Sequence, residues 1–158
     1  MAEDVQGLLD KIHKDGIAKA QQEKEAIIAA AKEEAARIVA ESKEQAVTLS
    51  KSVVTSSLTK AAIYGHDANW GRILCAMGYS GAQFDPEKVD LYFESAAGKL
   101  QIIENGVAVN YSEEEATRIL SEDEVTAIAD VKMGEASATA WGCDLTYDYV
   151  KINADYRS

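Results

Sequence analysis

Apolar side chains recur along the first third of the chain at Val5, Leu8, Leu9, Ile12, Ile17, Ala20, Ile27, Ile28, Ala31, Ala35, Ile38 and Val39. That spacing keeps them on one stripe of an α-helix. The residues between are Ala, Glu, Lys and Gln, all good helix formers, and the predicted helix covers residues 5–46. An internal repeat lies inside it: EAIIAAAKEEA (Glu25 to Ala35) aligns with ARIVAESKEQA (Ala36 to Ala46). The alignment pairs Ile27 with Ile38, Ala29 with Ala40, Lys32 with Lys43 and Ala35 with Ala46, a period of eleven residues. Eleven residues over three turns is about 3.67 per turn, which favours a right-handed supercoil. The Ala-rich seam lets two helices approach closely. A helix this long, roughly 60 Å, cannot bury its stripe on a small domain and calls for a partner helix.

Past Ala46 the pattern changes. VTLSKSVVTSSLTKAAIYG keeps helical spacing at Val47, Val54, Leu58, Ala61 and Ala62, although its Ser, Thr and Val content lowers helix propensity. Asp67 is positioned to cap a further helix through NWGRILCAMGY, ended by Gly78 or Gly81. Val89, Leu91 and Phe93 alternate, then Leu100 and Ile102, then Val107 and Val109, which predicts three short strands punctuated by Pro86, Gly98 and Gly106. Ser112 with Glu115 forms a capping box opening the helix SEEEATRIL. A strand over Val125, Ala127, Ala129 and Val131 follows, and Gly134 turns the chain into its C-terminal run. The order helix, helix, strands, helix, strand, helix predicts an α/β or α+β domain over residues 47–158, preceded by a long helix over residues 1–46.

Charge and composition narrow the functional classes. The formal charge of −11 argues against nucleic acid or anionic membrane as a general partner. Apolar content of 47% with 27% charged residues suits a soluble protein with a core. No run reaches the roughly 18 apolar residues of a membrane span, and the acidic, amphipathic start does not have the pattern of a signal peptide. Cys75 and Cys143 are too few for a disulfide framework, so a reduced, cytoplasmic protein is expected. No complete catalytic constellation is visible: there is no GxxxxGK, no HExxH and no zinc-ligand spacing. His13 sits on the long helix as a solvent-facing residue. His66 could act as a base beside Asp67, but adjacent residues on a turn rarely aim at one target, and a surface or capping role is favoured. Glu113, Glu114 and Glu115 open a helix, where the macrodipole favours negative charge. Cys75 is expected to be a small buried residue, and Cys143 has no base near it in sequence.

Two stretches resemble one known family. WGCDLTYDYVKINADYRS (Trp141 to Ser158) and SKSVVTSSLTKAAIYGHDANWGRILCAMGYSG (Ser50 to Gly81) resemble the C-terminal part of the bifunctional ornithine acetyltransferase/glutamate N-acetyltransferase family. That family moves an acetyl group from N-acetylornithine to glutamate in arginine biosynthesis. The resemblance implies a self-cleaving precursor whose newly exposed N-terminal threonine carries acetyl as an ester. Its new amine is the base, and a Thr-Gly pair in the first fragment is the oxyanion site. All of these, with a substrate-binding lysine and glutamate, lie upstream of the matched region, so no catalytic residue is assigned here. What carries over is the tail: Asn153 and Ser158, where many members have Thr, match substrate-binding positions. Trp70 and Arg72 resemble a family signature and are assigned to packing. No metal or cofactor is implied.

The long helix resembles the E-type peripheral-stalk helix of V-type and A-type rotary ATPases, through VQGLLDKIHKDGIAKA (Val5 to Ala20) and AAKEEAARIVAE (Ala30 to Glu41). That resemblance implies a second stalk polypeptide as helical partner in a right-handed coiled coil. The two likenesses meet between Val39 and Leu49, as in a chimera. The expectation is a fragment of the acetyltransferase, inactive alone, joined behind a coiled-coil segment; the competing reading is a peripheral-stalk component.

Overall fold

The computed structural model describes residues 2–156, with side chains from Val5 onward. Contacts divide the chain into two units, Met1–Glu41 and Ser42–Ser158. Helix α1 (Ala2–Thr55) forms the first and opens the second. In the first unit Lys19 lies 4.0 Å from Glu23, and Arg37 bridges Glu34 and Glu41 at 2.6 and 2.7 Å. Pairs this exposed add little each, because water screens them. Local propensity and these i,i+3 and i,i+4 pairs sustain the helix, because its apolar stripe is open to solvent: Leu8 is 60% and Ile27 69% exposed.

α1 continues beyond Ala46 to Thr55 despite its Ser and Thr residues. Their hydroxyls turn back onto the helix's own carbonyls, Ser50 Oγ donating to Val47 O and Thr55 Oγ1 to Lys51 O. The helical text to Tyr64 is then broken at Ser56, whose extended backbone starts α2 (Ser57–Tyr64) and whose hydroxyl accepts the Thr59 N–H. α3 (Trp70–Gly78) is capped by Asn69, not by Asp67. The Asn69 side-chain oxygen accepts the Arg72 N–H while its amide donates to the Asp67 carboxylate, so Asp67 serves indirectly, holding the cap. α3 ends at Gly78.

After a single 3-10 turn (Pro86–Lys88), strands β1 (Asp90–Ser95), β2 (Gly98–Glu104), β3 (Val107–Ala108) and β4 (Thr126–Asp130) form one antiparallel sheet in the order β3-β2-β1-β4. Asn105 and Gly106 link β2 to β3 with φ of 47° and 75°, both left-handed as a tight type I′ hairpin requires. Gly106 is required twice over, since a Cβ there would lie 2.5 Å from the Pro86 carbonyl oxygen. Strict alternation fails in β2: Leu91 pairs with Ile103 and Tyr92 with Gln101, leaving Ile102 as the extra residue of a bulge. Both Ile102 and Ile103 are consequently buried. β3 is shorter than the alternation of Val107 and Val109 suggests, and Val107 is exposed on this edge strand.

Helix α4 (Glu113–Leu120) packs on β1 and β2. The Ser112 hydroxyl caps it by accepting the Glu115 N–H, and Ala116, Ile119 and Leu120 form its buried face. These join Leu49, Ile73, Met77, Leu91, Phe93, Ile102 and Ile103 in one core. Each fully buried Leu, Ile or Phe contributes roughly 1.5–3 kcal/mol, which places the stability of the second unit here.

Candidate functional site

The C-terminal run is tied down at two places before its last helix and at a third on that helix's first residue. The Leu145 N–H donates to the Lys60 carbonyl at 3.2 Å. Gly142 lies so close to Val54 that a Cβ would come within 2.9 Å of the Val54 Cβ. The Tyr147 ring stands edge-on to Tyr64, with centroids 5.5 Å apart. From that anchorage α5 (Tyr147–Asp155) extends, capped by the Thr146 hydroxyl, which accepts the Tyr149 N–H at 3.0 Å. α5 buries nothing. Tyr147, Tyr149, Val150 and Ile152 are exposed along it, Tyr156 follows it, and Trp141 before it is 86% exposed.

Asn153 stands on α5, exposed to solvent. Its side-chain amide donates to the Tyr149 carbonyl one turn back at 2.8 Å, which fixes its rotamer. Ser158 and Arg157 lie outside the described residues.

The other candidate residues have local roles. His13 is exposed on α1. His66 follows α2 with φ of 53°, and its N–H donates to Ile63 O, so it ends the helix in a left-handed conformation. Its Nδ1 lies 3.4 Å from the Ser121 hydroxyl, while Asp67 pairs with Asn69; the two neighbours do not aim at one point. Glu113, Glu114 and Glu115 occupy the first turn of α4. Arg72 Nη1 donates to Leu58 O and its carbonyl accepts from Thr59 Oγ1, which makes it a clamp between α2 and α3. The expectation that Cys75 is buried does not hold: both cysteines are exposed. The buried face of α3 is Ile73, Ala76 and Met77, and Cys75 falls about 200° round the helix from Ile73.

A polar cluster not signalled by the sequence joins Asp90, Asn105 and Lys132. Lys132 Nζ lies 2.8 Å from Asp90 Oδ2 and donates to Asn105 Oδ1 at 2.6 Å, while the Asn105 N–H donates to Asp90 Oδ1 at 2.7 Å. The Lys132 contact, and after it the Asn105 N–H, hold the Asp90 carboxyl below its ordinary pKa. The ring of contacts pins the Asn-Gly hairpin to the stretch after β4; its donors and acceptors face one another, as in a structural clip. Beside it an open cleft of about 460 Å³ is lined by Phe84, Asp85, Pro86, Lys88, Lys132 and Met133. Tyr111 has its phenol raised above the ordinary value by burial, and then by the charges of Glu113 and Asp67. Among the described residues no group of three or more His, Cys, Asp or Glu side chains is placed to hold a metal ion, and no helix is long and apolar enough to cross a membrane.

An antiparallel sheet with α4 laid across its central strands and an outlying C-terminal helix defines a partial α+β module, the class of fold seen in arginine-biosynthesis bifunctional proteins. The crystal structure of such a protein from Bacillus halodurans superposes with a TM-score of 0.66 at 43% identity, covering 72% of this chain and 52% of that one. The arginine biosynthesis bifunctional protein of Thermotoga neapolitana is 56% identical over 110 residues, which are 70% of this chain and 28% of the relative. The glutamate N-acetyltransferase of Methanothermobacter thermautotrophicus is 46% identical over 111 residues, 68% of this chain and 28% of its own length. The ArgJ family profile matches residues 8–158, and the chain belongs to the ArgJ family. It spans a little over a quarter of the length of these curated relatives.

Proposed function

We propose that this chain supplies the carboxyl-terminal, substrate-facing part of an enzyme that transfers acetyl from N-acetylornithine to glutamate. The observation that carries the reading is the 56% identity to the Thermotoga neapolitana protein over 110 residues. In this reading Asn153 and Ser158 bind the polar head of the amino-acid substrate. An asparagine amide both donates and accepts, as an amino-acid ammonium and carboxylate require, and the fixed Asn153 rotamer lowers the entropy lost on binding. The threonine nucleophile, its amine base and the oxyanion donors come from the family's upstream region, so the 158 residues alone carry out no transfer. Two exposed, free cysteines suit action in the reduced cytoplasm. The purified chain, given N-acetylornithine and glutamate, is expected to form no N-acetylglutamate detectable by mass spectrometry. Transfer above the buffer blank would sink the proposal.

A second reading concerns residues 1–46, as a segment joined between Val39 and Leu49 that forms one strand of a coiled coil, like the rotary-ATPase stalk helix it resembles. The exposure of its whole apolar stripe supports it, since such a face is stable in water chiefly when covered.

A further inference from the structure

The sequence contains four asparagines, Asn69, Asn105, Asn110 and Asn153, and only Asn105 precedes a glycine. An asparagine amide is lost when the next residue's backbone nitrogen attacks the side-chain carbonyl carbon. After the other three, Trp70, Tyr111 and Ala154 crowd that nitrogen with a side chain, whereas Gly106 leaves it open to turn. Asn105 is exposed at the tip of the β2–β3 hairpin, where water reaches it. The closed clip holds the reacting groups apart, out of the near-attack geometry that bond formation needs. The Gly106 N–H donates to the Val89 carbonyl at 2.8 Å, so the attacking nitrogen is tied by its proton. Lys132 Nζ holds Asn105 Oδ1 at 2.6 Å, which turns the side chain towards the stretch after β4. The Asn105 N–H is bound to Asp90 Oδ1 at 2.7 Å, and Gly106 is pressed against the backbone of Pro86 and Glu87, which leaves its peptide little room to swing. Yet β3 pairs with β2 only at Ile103 with Ala108 and Glu104 with Val107, so the tip can open while the core stays closed.

We propose that Asn105 is a self-modification site, inert while the clip is closed and reactive when the hairpin tip opens. On opening, the Gly106 nitrogen gives its proton to a solvent base and attacks Asn105 Cγ. The N–Cγ bond forms, the Cγ–Nδ2 bond breaks, and Nδ2 leaves as ammonia after taking a proton from water. Water then opens the cyclic succinimide, at Cγ to give aspartate or at the main-chain carbonyl to give isoaspartate. Nothing is oxidised or reduced. Aspartate sets a second carboxylate beside Asp90, with the single Lys132 ammonium between them. Isoaspartate also lengthens the main chain by a methylene, which the left-handed turn at φ of 47° and 75° against Pro86 cannot take without shifting. Either product therefore leaves a lasting record that the hairpin opened.

The test incubates the full chain in mildly alkaline buffer and follows the Asn105 peptide by tandem mass spectrometry, reading conversion of the amide to acid. The folded chain is compared with the same chain in denaturing urea, and with folded Lys132→Met and Asp90→Ala. Asp90 lies in β1, whereas Lys132 follows β4, so Lys132→Met opens the clip without touching a strand. Hydrogen exchange at Leu91 and Ile103, paired across β1 and β2, checks that each variant stays folded. The unaltered chain is expected to lose the Asn105 amide at least about tenfold more slowly when folded than in urea. Each folded variant is expected to lose it at least about threefold faster than the unaltered folded chain. Equal rates in the folded chain and in urea, or no loss even in urea, would overturn the proposal. Variants as slow as the unaltered chain would remove the clip as the lock. Slower loss in Lys132→Met would also overturn it, since the ammonium would then activate Cγ where it is held here to restrain it.

Discussion

Ile27 and Ile102 have the same side chain and opposite fates: the first is 69% exposed on α1, the second fully buried in the core of the second unit. In the first unit, regular structure comes from the chain's own neighbourhood, from helix formers, from i,i+3 and i,i+4 ion pairs and from backbone bonds that span four residues. In the second it comes from side chains brought together over distance, as when Leu91 pairs with Ile103 and both share one core with Ile119. Secondary structure thus forms in either regime, but only the second unit has the packing that makes unfolding cooperative. A lone helix in water frays and reforms unless another surface covers it.

Substitutions should separate the two regimes sharply. Phe93→Ala removes a fully buried ring and should cost the second unit about 3–5 kcal/mol, read as a lowered urea midpoint by tryptophan fluorescence. Ile27→Ala should leave that midpoint where it is; a matching fall would erase the contrast. Gly106→Ala meets both a left-handed φ of 75° and the Pro86 carbonyl. A loss of about 2–3 kcal/mol is expected, and a neutral result would mean that the hairpin is free to rearrange.

The clip at Asp90 gives a smaller, pH-dependent effect. Its carboxyl titrates lower when folded than unfolded, because Lys132 and the Asn105 N–H favour the anion. The group therefore stabilises the fold above its unfolded pKa, and that contribution is lost as pH falls through the folded value. Asp90→Ala should cost about 1–2 kcal/mol at neutral pH and flatten the acid limb of the stability curve; an unchanged limb would remove the clip from the account. Smallest of all, Gly7→Ala should raise helix content by circular dichroism, through about 1 kcal/mol of local propensity. It should leave the second unit's midpoint untouched.

Legibility in the sequence follows the same division. The long helix is legible because its bonds are local and its composition uniform. Strand β1 is legible because the buried Leu91 and Phe93 alternate, and β4 because Ala127 and Ala129 alternate in sequence, although both are exposed and Ile128 between them is half-buried. Ile103 is not, because the bulge that buries it beside Ile102 is a property of two strands together. Asn69 replaces Asp67 as cap because both side chains are competent and only the three-dimensional turn chooses between them. The apolar neighbours of Cys75 suggest burial, yet the helical phase of Ile73, Ala76 and Met77 turns it outward. The Asp90, Asn105 and Lys132 cluster draws on two hairpin partners and the stretch after β4, and no local pattern announces it. Asn153 is singled out by family likeness alone; it stands on an exposed, aromatic-rich helix, and the proposal that it completes a substrate site rests on that likeness.

Complementation tests that completion most directly. The Thermotoga neapolitana relative, cut back to remove the quarter matched here, would be mixed with this chain and assayed for N-acetylglutamate formed from N-acetylornithine and glutamate. The account predicts transfer from the mixture, none from this chain by itself, and a marked loss with Asn153→Ala. A mixture that sediments as a complex yet transfers no acetyl would contradict it.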